Sequence, residues 1–305
     1  MRKIQIRIPA TTANLGPGYD CLGLALSLYN RAEISWEESA ETLTPDQLKH
    51  WADQVPSSQR AVATAYSHYA GARSVSLPLI KISFEGEIPV ARGLGSSATC
   101  AIAGLAAAQW IDKGVIDKEA LLPLAAELEG HPDNAAPALI GGLVLSKKTR
   151  QKVGWTKLSC HPDIRVLLFI PDFRLSTSQA RQVLPDSIPH RDAVANTASF
   201  GFLLEGIRTG RKELLAQGNE DYLHQEYRRP LVEDYDAVER AALAVGCSVL
   251  ALSGAGPSLV GLLIGSQSEA EEKRIQIQNM LSANWQAKSL AIDEEGMVFM
   301  GEDRN

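Results

Sequence analysis

Hydrophobic and polar residues alternate strictly at the start of the chain. Ile4, Ile6 and Ile8 fall on one side, and Lys3, Gln5 and Arg7 on the other. A period of two predicts a half-buried strand, and Pro9, with no backbone N–H, is expected to end it. Leu79 to Phe84 alternates as well, with Ile80, Ile82 and Phe84 on one face. Thr44 to Gly71 reads as helical, with Thr44 as N-cap and Pro45 at the first helical position. Ser96 to Ile111 is Ala-rich and helical, and Asp117 caps a further helix that stops at Gly130. The wholly apolar run Val166 to Ile170 predicts a buried strand. Phe200, Leu203, Leu204 and Ile207 recur at helical spacing within Asn196 to Arg208. A helix over Asp234 to Val245 precedes a strand at Val249 to Leu252, a glycine turn and a strand at Ser258 to Ile264. Ser268 to Leu281 is expected to be helical, and Met297 to Met300 a last short strand.

Helices and strands intermix here without the regular beat of a doubly wound sheet, which points to an α+β fold in two layers. At about 150 residues per domain, the 305 residues suggest two domains. A polar, basic stretch from Lys147 to Thr156 follows an apolar segment, so the division is expected at 1–152 and 153–305. Hydrophobic residues at 45% and charged residues at 22% exclude a disordered chain. Thirty basic against 36 acidic residues leave a net charge of −6, which argues against a general nucleic-acid binder. The four cysteines, Cys21, Cys100, Cys160 and Cys247, have no metal-binding or redox spacing and suit reduced thiols. The basic N-terminus has no apolar stretch of a leader peptide behind it. No window approaches the roughly 18 apolar residues of a membrane span. A cytoplasmic location without membrane or nucleic-acid partners is the expectation.

Four segments carry candidate chemistry. Pro89-Val90-Ala91-Arg92-Gly93-Leu94-Gly95-Ser96-Ser97-Ala98-Thr99 places glycines immediately before a helix. Glycines permit a close backbone approach to a ligand, and the free N–H groups and dipole of a helix start attract an anion. The segment suits phosphate, with hydroxyls available for Mg²⁺, but it lacks the Gly-Lys-[Ser/Thr] of a Walker A loop. Pro9 to Asp20 follows the first strand as a compact loop carrying Asn14 and Asp20. Glu129-Gly130-His131-Pro132-Asp133-Asn134 offers carboxylates for Mg²⁺ or an ammonium group. Ser253-Gly254-Ala255-Gly256-Pro257-Ser258 is a second glycine turn between strands. Each alone also fits an ordinary turn or cap.

Together, in this order, the segments resemble the GHMP kinases, named for galactokinase, homoserine kinase, mevalonate kinase and phosphomevalonate kinase. Pro89 to Thr99 looks like that family's ATP-binding motif, and Ser253 to Ser258 like its C-terminal glycine motif. Pro-Ala-Thr-Thr-Ala-Asn-Leu-Gly-Pro-Gly-Tyr-Asp from Pro9 and Glu-Gly-His-Pro-Asp-Asn from Glu129 carry the match further. So do Leu-Ser-Thr-Ser-Gln-Ala-Arg from Leu175 and His-Gln-Glu-Tyr-Arg from His224. Within the family the resemblance is closest to members that phosphorylate L-homoserine. It implies a two-domain fold, an N-terminal α/β ATP-binding domain and a C-terminal ferredoxin-like domain, with the active site between them. It also implies ATP and Mg²⁺ as cofactors, L-homoserine as acceptor, O-phospho-L-homoserine as product, and a homodimer.

The resemblance assigns roles residue by residue. Pro89 to Thr99 would hold ATP, and Ser97 would lie near Mg²⁺ with Glu129 as acidic partner, Glu127 being the alternative. Asn14, Asp20, Asp133, Asn134 and Gly254 would face the polar end of the acceptor and its ammonium. Arg181 and Arg228 would clamp its carboxylate, for which the guanidinium fork is suited, and Thr177 would lie close by. Asp133 or Asn134 falls where relatives of the mevalonate type have a candidate base. Members of the homoserine type have been read as lacking one, and Asp133 is assigned to substrate binding first. The competing readings are another small-molecule kinase of the family, acting on a substrate such as mevalonate, and a non-catalytic binding protein with this fold.

Overall fold

The structure, a computed structural model, describes residues 1–149 and 152–304. Five strands and three helices make up the chain through the phosphate-loop region: β1 (Arg2–Asn14), β2 (Gly18–Trp36), β3 (Thr42–Leu43), α1 (Pro45–Gln54), α2 (Ser57–Arg73), β4 (Leu77–Pro78), β5 (Lys81–Gly86) and α3 (Ser96–Lys113). Next come α4 (Lys118–Glu129), α5 (Ala135–Ile140), β6 (Leu143–Lys148), β7 (Val153–Leu158), β8 (Ile164–Pro171), α6 (Thr177–Gln182) and α7 (His190–Thr209). The remainder is α8 (Lys212–Gln217), α9 (Gln225–Arg228), α10 (Tyr235–Ala244), β9 (Val249–Leu252), β10 (Leu259–Ile264), α11 (Gln267–Gln278), β11 (Trp285–Leu290) and β12 (Val298–Arg304).

Strand β1 does not end at Pro9. It pairs with β2 through Asn14, and with β12 only from Arg2 to Arg7. At Pro9 its other edge is therefore unpaired, and the missing N–H removes no ladder bond. The register shifts between Pro9 and Ala10. Ile4, Ile6 and Ile8 face one core and Ala10 another, across an irregularity that leaves Ser27 and Leu28 of β2 without a register partner on β1. Strand β2 was not anticipated. Leu22 to Leu28 lies in one core and Ala32 to Trp36 in the other, so its pattern has no single period.

Antiparallel pairing builds a six-stranded sheet in the order β12-β1-β2-β6-β7, with β5 also on β2. Helices α2 to α5 cover one face over the Ile4–Ile8 core. A second, four-stranded sheet runs β11-β8-β10-β9. Its sequence order is βαββαβ with α10 and α11 over one face, which is the ferredoxin-like arrangement expected. Its strand β8 alternates Val166, Leu168 and Ile170 toward a core shared with the first sheet and Leu167 and Phe169 toward α10 and α11. Both faces are buried, which explains the unbroken apolar run.

The Thr44–Gly71 segment forms two helices, because Pro56 interrupts it after Val55. Thr44 makes the expected cap with Gln47. The polar stretch from Lys147 contributes to a hairpin: β6 and β7 pair from Leu143↔Leu158 to Lys148↔Val153 within the first sheet. The division expected at 152/153 falls in the turn of this hairpin, where 150 and 151 lie outside the described residues. Strand β12, at the far end of the chain, also returns to the first sheet. Polar composition here marks an exposed edge strand, which charged side chains protect from further pairing.

Helices α2 and α3 touch backbone to backbone at Gly104, where a Cβ would stand 2.2 Å from the Val62 carbonyl and 2.9 Å from the Tyr66 nitrogen. Alanine improves intrinsic helix propensity by up to about 1 kcal/mol, but overpacking costs about 1–3 kcal/mol. Gly104→Ala should therefore lower the urea midpoint of unfolding. An unchanged or raised midpoint would show that the two helices separate freely at this contact.

Candidate active site

Strand β5 leads through the glycine loop into α3. Ala91, Gly93 and Gly95 all have positive φ, at 57°, 74° and 69°. Gly95 is the N-cap of α3 and no side chain caps the helix. The first bond into the helix is Thr99 N–H to the Gly95 carbonyl. The amides of Ser96, Ser97 and Ala98 are therefore left for an anion. The Ser97 hydroxyl donates to Glu129 Oε1 at 2.7 Å. Burial raises the Glu129 pKa, an effect Ser97 and His131 counter and Asp133 reinforces. Glu127 instead reaches His68 at 3.4 Å. Of the two acidic candidates, Glu129 alone joins Ser97.

Not every side chain of the loop points to this site. Arg92 is buried, and its guanidinium donates to the carbonyls of Pro171, at 2.8 Å, and Asp172 at the end of β8. Leu94 and Ala98 are in the core, and Thr99 bonds Ser96 and Asn30. These four side chains fix the loop; backbone and the two serines are what it presents. Val90 is exposed.

The second glycine turn closes against the first. Ser253 Oγ donates to the Gly93 carbonyl at 2.7 Å, and Ser258 N–H to that of Arg92. A Cβ on Gly93 would lie 2.0 Å from the Ser253 carbonyl oxygen. Gly254 in turn holds the end of β1: its N–H donates to Ala13, and its carbonyl accepts from Asn14 Nδ2 at 2.7 Å. Thr11 completes the junction, donating through its N–H to Leu94 and through its hydroxyl to Asn134 Oδ1.

The charged groups gather beside this junction. Asn14 Oδ1 accepts from the Asp20 amide, and Asp20 receives both guanidinium nitrogens of Arg181, at 2.8 and 3.1 Å. Burial lowers the Arg181 pKa but the Asp20 bond outweighs it, so the net shift is upward. Asp133 is 2% exposed and accepts from His131. For His131 burial acts downward, yet the Asp133 carboxylate carries the pKa up. The ligating atoms of Asp20, His131 and Asp133 lie within 4.8 Å of one another. A cavity of about 470 Å³, lined in part by Asp20, His131 and Ser146, opens there. Arg228, 1% exposed, donates through Nε to the Ala180 carbonyl and lies over the Tyr19 ring, 5.2 Å from its centre. Arg181 lies over the same ring at 5.8 Å. Thr177 is exposed at the start of α6, one turn before Arg181.

The structure thus brings Asn14, Asp20, Asp133, Asn134, Arg181, Arg228 and Gly254 into one neighbourhood. Sequence reasoning gave no role to Thr11, Tyr19, His131 or His224. All four stand inside or beside the quoted motifs, but the partners of Thr11, Tyr19 and His224 lie on distant segments, as Thr11 shows with Asn134.

A helix start open to phosphate, with a hydroxyl and a carboxylate beside it and a separate site of mixed charge, defines a small-molecule kinase. Residues 57–142 match the GHMP kinases N terminal domain, and residues 203–287 match the GHMP kinases C terminal domain. A homoserine kinase of Synechococcus sp. is 42% identical over 96% of this chain and 94% of its own length. One of Caldicellulosiruptor bescii is 38% identical over 96% and 95%. The crystal structure of a homoserine kinase from Cytophaga hutchinsonii superposes with a TM-score of 0.84 at 25% identity, covering 98% of this chain and 97% of that one. The chain belongs to the homoserine kinase family of the GHMP kinases.

Gly93→Ala combines a Cβ in a left-handed conformation with the 2.0 Å clash at Ser253. Strain of this kind costs about 1–3 kcal/mol, and relief requires the two glycine turns to part. Nucleotide affinity measured by calorimetry should fall at least roughly tenfold. Native affinity in this variant would show that the loop does not depend on the contact.

Proposed function

We propose that the protein transfers the γ-phosphoryl group of ATP to the side-chain hydroxyl of L-homoserine, giving O-phospho-L-homoserine on the way to threonine. The observation that carries this reading is the paired charge: Arg181 bonded to Asp20, Arg228 over the Tyr19 ring that Arg181 also covers, and Asp133 within 4.8 Å of Asp20. Homoserine is a zwitterion with a hydroxyl at its far end. Its carboxylate suits Arg181 and Arg228, and its ammonium suits Asp20 and Asp133. Without substrate, Arg181 and Asp20 satisfy one another. A zwitterion entering between them replaces one ion pair by two, so neither charge is left unpaired.

The donor set also fits the expected cofactor. Three uncapped amides, at Ser96, Ser97 and Ala98, suit phosphate oxygens. The Ser97 hydroxyl and Glu129 carboxylate, 2.7 Å apart, are oxygen ligands of the kind Mg²⁺ takes. When bound, Mg²⁺–ATP supplies the phosphoryl group and offsets the negative charge of the transfer. The chain's residues hold the acceptor: Asn134 accepts from Thr11 at Oδ1 and donates one Nδ2 hydrogen to Asp133 at 3.5 Å, and its second Nδ2 hydrogen would orient a polar group. Asn134 is an amide and no base, while Asp133 is engaged by His131 and serves binding first. Phosphoryl transfer needs little help from a base when positioning and charge neutralisation are good. The substrate oxygen gains the phosphorus, the bond to the β-phosphate oxygen breaks, and the hydroxyl proton leaves to solvent.

The proposal extends to a homodimer in the cytoplasm. Four free cysteines suit a reducing compartment, and no helix among the described residues is long and apolar enough to cross a membrane. Mevalonate, the acceptor of the competing reading, carries a carboxylate but no ammonium. The mevalonate kinase structure that superposes with a TM-score of 0.69 is 15% identical and shares the fold alone.

Substrate preference tests the reading. L-Homoserine should exceed 4-hydroxybutyrate, which lacks only the amine, by at least roughly 100-fold in kcat/KM, because a site built for a charge rejects the analogue without it. D-Homoserine should be poor, and mevalonate inert. Comparable values for L-homoserine and 4-hydroxybutyrate would remove the ammonium site. Efficient use of mevalonate would replace the proposed acceptor.

A further inference from the structure

The buried histidine behind the arginine clamp has a role of its own. His224 is fully buried. Its Nε2 lies 3.0 Å from the Gly16 carbonyl, which can only accept, and so must carry the proton. Its Nδ1 lies 3.2 Å from Arg228 Nη1, which can only donate, and so must offer a lone pair. These two contacts select one state of the ring, neutral and protonated at Nε2. The ring also stacks on Tyr19, with centres 5.0 Å apart. Asp221 Oδ2, 3.5 Å from Nε2, is taken up by the amides of His224 and Gln225. Burial lowers the imidazole pKa, opposed by Asp221 and aided by Arg228, with a net shift downward.

We propose that His224 is a positioning residue for the acceptor site: its Nδ1 lone pair aims the Arg228 guanidinium, and its Nε2–H ties that arginine to the Gly16 turn of the loop carrying Asn14 and Asp20. The proposal rests on the reading of Arg228 as a carboxylate-binding group. Arg228 is fixed at its Nε by Ala180 and at Nη1 by His224, with Gly254 at a longer 3.4 Å. Remove the imidazole acceptor and Nη1 keeps only the longer Gly254 contact. Gly16 would lose its partner at the same time, so both signs of the substrate site would loosen through one side chain.

Two substitutions separate the two contacts. His224→Asn keeps an acceptor near the Nδ1 position but does not reach Gly16. His224→Gln places an amide donor near Nε2 and leaves Arg228 without its acceptor. L-Homoserine KM should rise roughly tenfold or more in His224→Gln, the order expected for one hydrogen bond to a charged group. The rise should be smaller in His224→Asn, and ATP KM should stay within about twofold in both. A parallel rise in both KM values, equal effects of the two variants, or unchanged L-homoserine KM would overturn the proposal. Nitrogen-15 NMR of histidine in the wild-type enzyme needs no substitution. It should show the His224 ring neutral, protonated at Nε2, and shifted on adding L-homoserine. An imidazolium, an Nδ1-protonated ring or no response to L-homoserine would equally overturn it. Wild-type turnover of L-homoserine is measured alongside; if that is absent, it is the acceptor assignment that fails.

Discussion

Everything in the site depends on how closely two glycine turns can approach. Gly93 and Ser253 meet carbonyl to hydroxyl at 2.7 Å, a separation possible only because Gly93 has no side chain. The phosphate loop belongs to the segment between β5 and α3, and its partner to the turn between β9 and β10. Their contact joins the two sheets at the same point where β1 ends on Gly254. Arg92, reaching from the loop to the end of β8, reinforces the junction from the other side. The shared apolar core between the sheets sets the two halves against each other, and the polar junction fixes the alignment of their ends.

The charges follow from that junction. Asn14 and Asp20 adopt positive φ, at 73° and 55°, which turns the loop back toward α6 and α9. Arg181 and Arg228 come from those two helices, while Asp133 precedes α5 in the other half of the molecule. In the proposed reading, an acceptor recognised by both ends is held between the halves, beside the open helix start of α3. On that proposal, binding energy from ammonium and carboxylate would serve to orient the hydroxyl, the contribution that matters most in phosphoryl transfer. His131 and His224 stand behind the two poles of the site, one bonded to Asp133 and the other to Arg228.

Local signals were legible in the sequence. Glycines at Gly93, Gly95 and Gly254, the caps Thr44 and Asp117, and the helix stop at Gly130 act on their own neighbourhoods and are read directly. Motif order then pointed to the family. What tertiary structure decides was not legible. Strand β2 passes between two cores and has no constant period. Pro9 sits in a strand because β12 leaves its edge free. Position within a glycine loop does not say that the Arg92 guanidinium is taken up by the carbonyls of Pro171 and Asp172. The polar residues from Lys147 serve an edge strand rather than a linker. Nor could His224 be linked to Gly16, 208 positions away in the chain.

The central claim is that a zwitterionic alcohol completes the site and receives the phosphoryl group. Phosphorus-31 NMR of one reaction, with and without L-homoserine, tests it directly. ATP should be consumed slowly alone, and on addition of L-homoserine each ADP formed should be matched by one phosphomonoester on the amino acid. ATP consumption at the same rate without acceptor, or inorganic phosphate in place of the monoester, would contradict the account.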